Sequence, residues 1–210
     1  SKPAVINSFM EILFNSVDPR VLSATVFLLS ELGLRDNNVI QTLTRVDSDV
    51  ECIASLFKRG LLEAVVLVYL LRPSAVSLVE MDIVDPLLTV LKTREEDLLK
   101  MCMKQKKATV LLLGQLLNSG EEVRTSEIAR DLISENGIEY IMGSLDAEVR
   151  EEKISAIVIL LRCMLEDGQC RNMIADKAEL CPILESLVGA NDEDFYQIVQ
   201  FLSDLVKLER

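Results

Sequence analysis

Four apolar segments of similar composition recur along the chain at nearly regular intervals. Each contains an alanine that is followed by a run of leucines and β-branched residues, and the four alanines are Ala24, Ala64, Ala108 and Ala156. Successive alanines lie 40, 44 and 48 residues apart. A repeat of about 40 to 47 residues is typical of armadillo and HEAT arrays. The sequence therefore predicts an all-α, armadillo/HEAT-like right-handed superhelical solenoid of about four repeats with a C-terminal cap helix, in a single domain over residues 1–210.

The third segment, "KKATVLLLGQLL" at 106–117, could be a membrane span, a buried strand or a sealed helix. Its uncharged stretch, 108–120, is shorter than the roughly 20 residues that cross a bilayer. Three other segments of the same kind recur at the spacing of a helical repeat, which favours a helix here. A helix that is apolar on most sides is buried. Burial of Leu111, Leu112 and Leu113 would stabilise the fold by about 5–9 kcal/mol before entropy is counted. We predict inner helices near 21–32, 61–71, 107–118 and 154–166.

Shorter amphipathic pieces follow three of these segments and predict a further helix in each repeat. They begin at Ile83, Gly137 and Ala178. Asp85-Pro86 is expected to start the first of them, because proline suits the first helical position. The corresponding piece of the first repeat, from Asn37 or Asn38, is expected to be poorly formed.

The last twenty residues predict the cap helix, with Asn191 or Asp192 as its N-cap. Its predicted buried stripe consists of Phe195, Ile198, Val199, Leu202, Leu205 and Val206. Phe201 and Leu208 lie beside this stripe. They either widen the buried seam or form a self-association surface, so a homodimer is one possibility.

No constellation in the sequence predicts catalysis, a cofactor or a metal. The chain has no histidine, which removes the usual imidazole base and the His-containing zinc sites. Its five cysteines include no Cys-x-x-Cys pair and suit reduced thiols in the cytoplasm or nucleus, with Cys170 the more exposed. The glycines are scattered singly, without a phosphate-binding loop. We therefore predict no catalytic, cofactor-binding or metal-binding residue.

The net charge of −12 disfavours binding to nucleic acids and anionic membranes, and no membrane insertion is expected. One segment, "KMCMKQKK" at 100–107, holds four lysines and no acid. On a helix, Lys100, Lys104 and Lys107 would share a face, with Glu96 one turn earlier. This face is either simply solvated or a docking patch for an acidic protein partner.

Several segments resemble plant U-box E3 ubiquitin ligases of the Lumpy-infections (LIN)/CERBERUS type. These are "LFKRGLLEAVVLVYLLRPS", "LLLGQLL" and, above all, the stretch from Glu151 to Leu187. Such ligases combine a U-box, an armadillo-like helical region and WD repeats, and the family is linked to rhizobial infection and mycorrhiza. The resemblance implies the helical region of a ubiquitin ligase whose catalytic module lies elsewhere.

Two functions follow as alternatives. In the first, the chain is a scaffold that presents a ubiquitination substrate or signalling partner, or mediates self-association. In the second, it is a peptide-binding armadillo adaptor without any role in ubiquitination. The Trp and Asn ladders of cargo-importing armadillo proteins are missing, because the chain has no tryptophan and the third-helix segments have no asparagine. No catalytic or conjugating-enzyme contact transfers to any residue, since nothing here resembles a U-box.

Overall fold

A computed structural model describes residues 2–118, 124–134, 137–177, 184–185 and 192–208. These residues form helices and connections without a strand, which confirms the all-α prediction. They group into two compact units, Ser1–Thr109 and Val110–Arg210. The single domain over 1–210 stays a prediction. Within the described ranges, no helix has both the length and the apolar character needed to cross a membrane.

The first unit is built around one long helix, α2. Helices α1 to α7 span Lys2–Asn15, Pro19–Arg35, Asn37–Val46, Glu51–Lys58, Ala64–Leu70, Ala75–Glu80 and Val84–Lys92, and a 3-10 turn covers Glu95–Asp97. Helix α2 packs against α1, α3 and α5. The unit ends within α8 (Gln105–Asn118), which continues into the second unit.

Helix α3 corrects one expectation. It is a regular helix of 10 residues from Asn37 and is well capped, because the Asp36 carboxylate accepts a hydrogen bond from Asn38 N at 3.0 Å. It buries Val39 and Leu43. The expectation of a poorly formed piece was therefore wrong, and the signal that it undervalued was the aspartate immediately before Asn37.

The second unit is built around α11. Its helices α9 to α13 span Thr125–Ser134, Gly137–Gly143, Arg150–Glu166, Gly168–Lys177 and Asp192–Leu208, with a 3-10 turn at Ser144–Asp146. Helix α11 packs against α9, α10, α12, α13 and this 3-10 turn. It buries eight residues, from Ala156 to Met164, on all its sides.

Helices form near all four predicted ranges, as α2, α5, α8 and α11. That they line one inner row stays a prediction. Leu112 and Leu113 are fully buried and Leu111 nearly so. Of the shorter predicted helices, α10 begins at Gly137 as expected, whereas α7 begins at Val84, just before Asp85-Pro86. The piece from Ala178 lies outside the described residues except for 184–185, which are helical.

The cap helix α13 forms, but its buried face differs from the predicted stripe. Ile198 and Phe201 are buried, with Phe201 only 4% exposed, whereas Phe195, Val199 and Val206 are exposed. The ring of Phe201 lies 5.6 Å from the guanidinium carbon of Arg162 on α11. The helix begins at Asp192, and the alternative cap Asn191 lies outside the described residues.

Candidate functional site

The site is built on the segment that links α7 to α8, residues 93–104, which we call the connector. It lies against α2, where the Glu31 carboxylate accepts a hydrogen bond from Cys102 N at 3.0 Å. Arg35 lies 3.6 Å from the same carboxylate. The Gln105 amide donates to Leu99 O at 3.0 Å and fixes the connector from the α8 side. The second half of the connector is thus held at two points, Leu99 and Cys102.

The contact between Glu31 and Cys102 also shifts the pKa values of both groups. The Cys102 side chain and backbone both donate hydrogen bonds to Glu31 and lower the pKa of its carboxyl, with a smaller contribution from Arg35. The same contact raises the pKa of the Cys102 thiol. Glu31 is therefore held as a carboxylate, the form that accepts the bond from the connector.

An apolar groove lies between the connector and the first half of α2. It has a volume of about 1040 Å³. Its lining is Pro19, Arg20, Ser23, Ala24, Phe27, Leu28, Leu61, Glu96, Leu98, Leu99 and Lys100, all within the first unit. Ligand pockets in proteins usually measure about 300–1,000 Å³, so this groove can accept several side chains at once.

The groove lies where the first repeat departs from the other three. In α5, α8 and α11, the alanine of the repeat and the apolar residues three and four positions after it are at most 8% exposed; these are Ala64, Leu67, Val68, Ala108, Leu111, Leu112, Ala156, Ile159 and Leu160. The corresponding residues of α2 are Ala24, Phe27 and Leu28. Ala24 is exposed, Phe27 is half-buried and Leu28 is 44% exposed. The apolar pattern of the repeat is present on α2, but these side chains are only partly buried there.

Two cations stand among the residues that line this apolar surface. The Arg20 side chain is 93% exposed, and its Nε lies 3.7 Å from the carboxylate of Asp18. Lys100 is exposed and forms no ion pair with the residues that the structure describes. The one acid in the lining, Glu96, is held at 3.1 Å by Arg94. The groove is therefore apolar with positive charge at its rim.

The charge of the chain is divided unevenly between the units. Residues 1–109 contain 13 basic and 14 acidic residues, whereas residues 110–210 contain 9 basic and 20 acidic residues. Nearly all of the net charge of −12 thus belongs to the second unit. The first unit, which contains the groove, is nearly neutral and therefore creates no strongly negative potential around it.

The predicted lysine patch is only partly assembled. Lys100 lines the groove, but α8 begins at Gln105, so Lys100 and Lys104 precede the helix and do not share a helical face with Lys107. The reason is the anchoring of Cys102 on Glu31, which holds the segment as a connector. Lys104 is exposed and Lys107 half-buried. Their role in partner binding stays a prediction.

Sequence reasoning missed the neighbouring Lys106. This side chain is buried, and its Nζ donates to Leu91 O, near the end of α7, at 3.1 Å. Burial lowers its pKa, and nearby Glu95 offsets part of this effect. Because Lys106 lies among other lysines, nothing in the sequence indicated that its side chain is the buried one.

The four described cysteines differ in burial, with Cys102 exposed and Cys52 half-buried. Cys163 and Cys170 are buried, so the expected exposure of Cys170 was wrong. A hydrogen bond from the Cys163 thiol raises the pKa of Cys163 and lowers that of Cys170. Burial, with Asp47 nearby, raises the pKa of Cys52 to about 11. Cys181 lies outside the described residues, among which no cluster of three metal-ligating side chains occurs.

Comparison with known families accounts for the whole chain. Residues 1–114 match the family described as "E3 ubiquitin-protein ligase LIN-like, ARM repeat". The chain belongs to this family. Residues 115–210 match a second LIN family, "Putative E3 ubiquitin-protein ligase LIN, ARM-like domain". The resemblance that the sequence carried and the armadillo-like fold class are both confirmed.

Curated relatives from two legumes are similar along the full chain. "Putative E3 ubiquitin-protein ligase LIN-1" of Lotus japonicus and "Putative E3 ubiquitin-protein ligase LIN" of Medicago truncatula are each 39% identical over 212 residues, covering 100% of this chain. The chain spans 14% of the length of either relative. It therefore corresponds to the armadillo-like part of a LIN-like ligase.

Among solved structures, designed armadillo repeat proteins are similar to the chain. One is 17% identical with a TM-score of 0.44 and covers 97% of this chain and 99% of its own. Another, designed for modular peptide recognition, is 17% identical with a TM-score of 0.46 and covers 93% of this chain and 80% of its own. These scores are too low to add to what the family match shows.

Proposed function

We propose that this chain is the protein-interaction region of an E3 ubiquitin ligase, which presents a substrate or signalling partner to a U-box module elsewhere in the longer protein. The observation that carries the proposal is the groove between α2 and the connector. Leu28 and Leu99 are exposed within it, and Glu31 fixes its wall. An apolar concave surface with a few charged groups is the usual form of a binding site.

The finer proposal places this activity in root symbiosis, in rhizobial infection and mycorrhiza, and inside the cell. It is supported by the resemblance to the Lumpy-infections/CERBERUS type and by the legume relatives. Self-association remains a proposal for α13. Phe201 is buried and is not part of an exposed patch, whereas Leu208 is 51% exposed.

Profiling of ubiquitin-modified peptides in legume roots tests the function. Plants that lack the endogenous ligase would receive either the intact ligase or a version without the region equivalent to 1–210. We expect the shortened ligase to keep assembling ubiquitin chains on itself while a defined set of other proteins loses its modification. A ligase with an inactivated U-box is the control for loss of all activity. Identical substrate profiles with and without the region would refute the proposal.

A further inference from the structure

We propose that the groove between α2 and the connector binds an amphipathic helical segment of a partner protein, with leucine-like anchors on one face and carboxylates at its flank. This inference deepens the proposed function, because it names the class of partner for the same groove. Three properties of the site support it: the repeat position that the groove occupies, the state of the connector backbone, and the charge at the rim.

The repeat position favours a helix as the occupant. The equivalents of Ala24, Phe27 and Leu28 on the other inner helices are buried in units whose described residues form helices and connections. Helix α11, for example, packs against α9, α12 and α13. A helical segment with apolar residues at spacings of three and four presents the side-chain pattern that such a surface accepts.

The connector backbone disfavours an extended peptide. A peptide that adds as a strand needs a row of unpaired backbone N–H and C=O groups. Here Leu98 N donates to Glu95 O at 3.2 Å, and Cys102 N donates to Glu31. The carbonyl of Leu99 accepts from Gln105. The groove is therefore equipped for side-chain contacts.

The rim charges favour acidic residues in the segment. Lys100 has no ion pair among the described residues, and Arg20 has only a contact of 3.7 Å with Asp18. Glu96 is already bound by Arg94. A carboxylate on the incoming helix would pair with Lys100, whereas a lysine there would meet two cations. Such rim charges discriminate between partners more than they add affinity.

Selection from a phage-displayed library of random 16-residue peptides tests this inference on the chain 1–210. The immobilised proteins would be the wild type, Leu28→Gln, Lys100→Glu and the matched control Lys104→Glu. Lys104 is exposed and does not line the groove. We expect enriched peptides to combine Asp or Glu with apolar residues at helical spacing. Enrichment should be lost on Leu28→Gln and kept on Lys104→Glu.

A charge exchange then provides the decisive measurement. The most enriched peptide would be synthesised with its own acids and with lysines in their place, and binding would be followed by fluorescence anisotropy. On the wild type, we expect the lysine version to bind about tenfold more weakly, and this order to shrink or invert on Lys100→Glu, because each rim pair contributes only a few-fold. Circular dichroism would verify that the variants fold.

Three results would overturn the inference: no groove-dependent enrichment, enrichment of basic or proline-rich peptides, or equal binding of both peptide versions. Wild-type chains that associate, with association lost on Leu28→Gln and no peptide selected, would make the groove a contact between copies instead. The root profiling separates the two proposals. A region-dependent substrate set together with failed peptide selection would sink this inference and leave the proposed function standing.

Discussion

Replacement of Gly114 by alanine tests a close approach between α8 and α11 in the second unit. Gly114 lies in α8 and faces Ser155 of α11. A Cβ at this position would lie 2.6 Å from Ser155 Cβ, 2.8 Å from its Oγ and 2.8 Å from its Cα. Rotation of the serine side chain cannot relieve the contact with Cα, because that atom belongs to the α11 backbone. The two helices must therefore move apart.

Two opposing effects set the magnitude. Alanine in place of glycine inside a helix gains about 0.8–1 kcal/mol of intrinsic propensity. Overpacking a tight interface costs about 1–3 kcal/mol, and a clash with backbone belongs at the upper end of that range. We therefore expect Gly114→Ala to lower the free energy of unfolding by about 1–2 kcal/mol, which lowers Tm by roughly 2–8 °C for a chain of this size.

Gly143 provides the matched control on the same unit. It is the last residue of α10, its φ is −61°, and a Cβ there would meet nothing within 4 Å. Gly143→Ala should therefore stabilise the chain by about 0.4–1 kcal/mol, since only the freedom of the unfolded chain changes. Urea unfolding followed by circular dichroism measures both variants. If Gly114→Ala were as stable as Gly143→Ala, the close approach of α8 and α11 would be refuted.

Three further outcomes are expected. Leu112→Ala, at a fully buried position, should cost about 2–5 kcal/mol in urea unfolding, whereas exposed Lys104→Ala should change stability by less than about 0.5 kcal/mol; equal effects would contradict the burial of α8. Glu31→Gln should reduce Tm most above pH 4.5, the ordinary pKa of the group. The difference in Tm between variant and wild type should shrink as the pH falls through the lowered pKa of Glu31. The reason is that a carboxyl with a depressed pKa stabilises the fold only while it is ionised. A gap independent of pH would argue against the bond to Cys102. With activating enzyme, conjugating enzyme, ubiquitin and ATP, the chain 1–210 alone should assemble no ubiquitin chains, and robust assembly on an immunoblot would overturn its assignment as a binding region.

The inner helices could be predicted from sequence because their burial follows from their own apolar residues, whichever helices pack around them. Helices α8 and α11 are apolar on most sides, so burial is the only arrangement that suits them. Capping residues carry a further local signal, which the expectation for α3 undervalued. Asp36 before Asn37 and Asp18 before Pro19 mark the starts of α3 and α2. Only the boundaries shift by a few residues, as with α7 at Val84.

The orientation of α13 could not be predicted, because periodicity shows which residues are apolar and not which face is covered. The helix carries more apolar residues than one face can hold, and α11 selects Ile198 and Phe201 over Phe195 and Val199. Arg162 of α11 contributes to this selection, because its guanidinium lies over the ring of Phe201. That information belongs to another helix.

The groove could not be predicted either, because it depends on a contact between residues that are far apart in the sequence. The lysine-rich segment before α8 is composed of good helix formers, and its local sequence favours a helix. A contact between Glu31 and Cys102, which are 71 residues apart, holds it as a connector instead. Without knowledge of that contact, α2 was expected to be buried like α5, α8 and α11.

The difference between α2 and the other inner helices bears on why the groove is apolar at all. A fold selected for stability alone gains little from Leu28, because a side chain that is 44% exposed recovers only part of the roughly 25 cal/mol per Å² that burial contributes. Full burial of a leucine contributes about 1.5–3 kcal/mol, so Leu28→Gln should lower the free energy of unfolding by only about 1 kcal/mol. At a core position, loss of stability and loss of binding would appear together. At a docking surface they separate, so a stable Leu28→Gln chain that no longer selects peptides would mark Phe27 and Leu28 as residues kept for a partner, whereas a chain that unfolds would assign them to the core of the first unit.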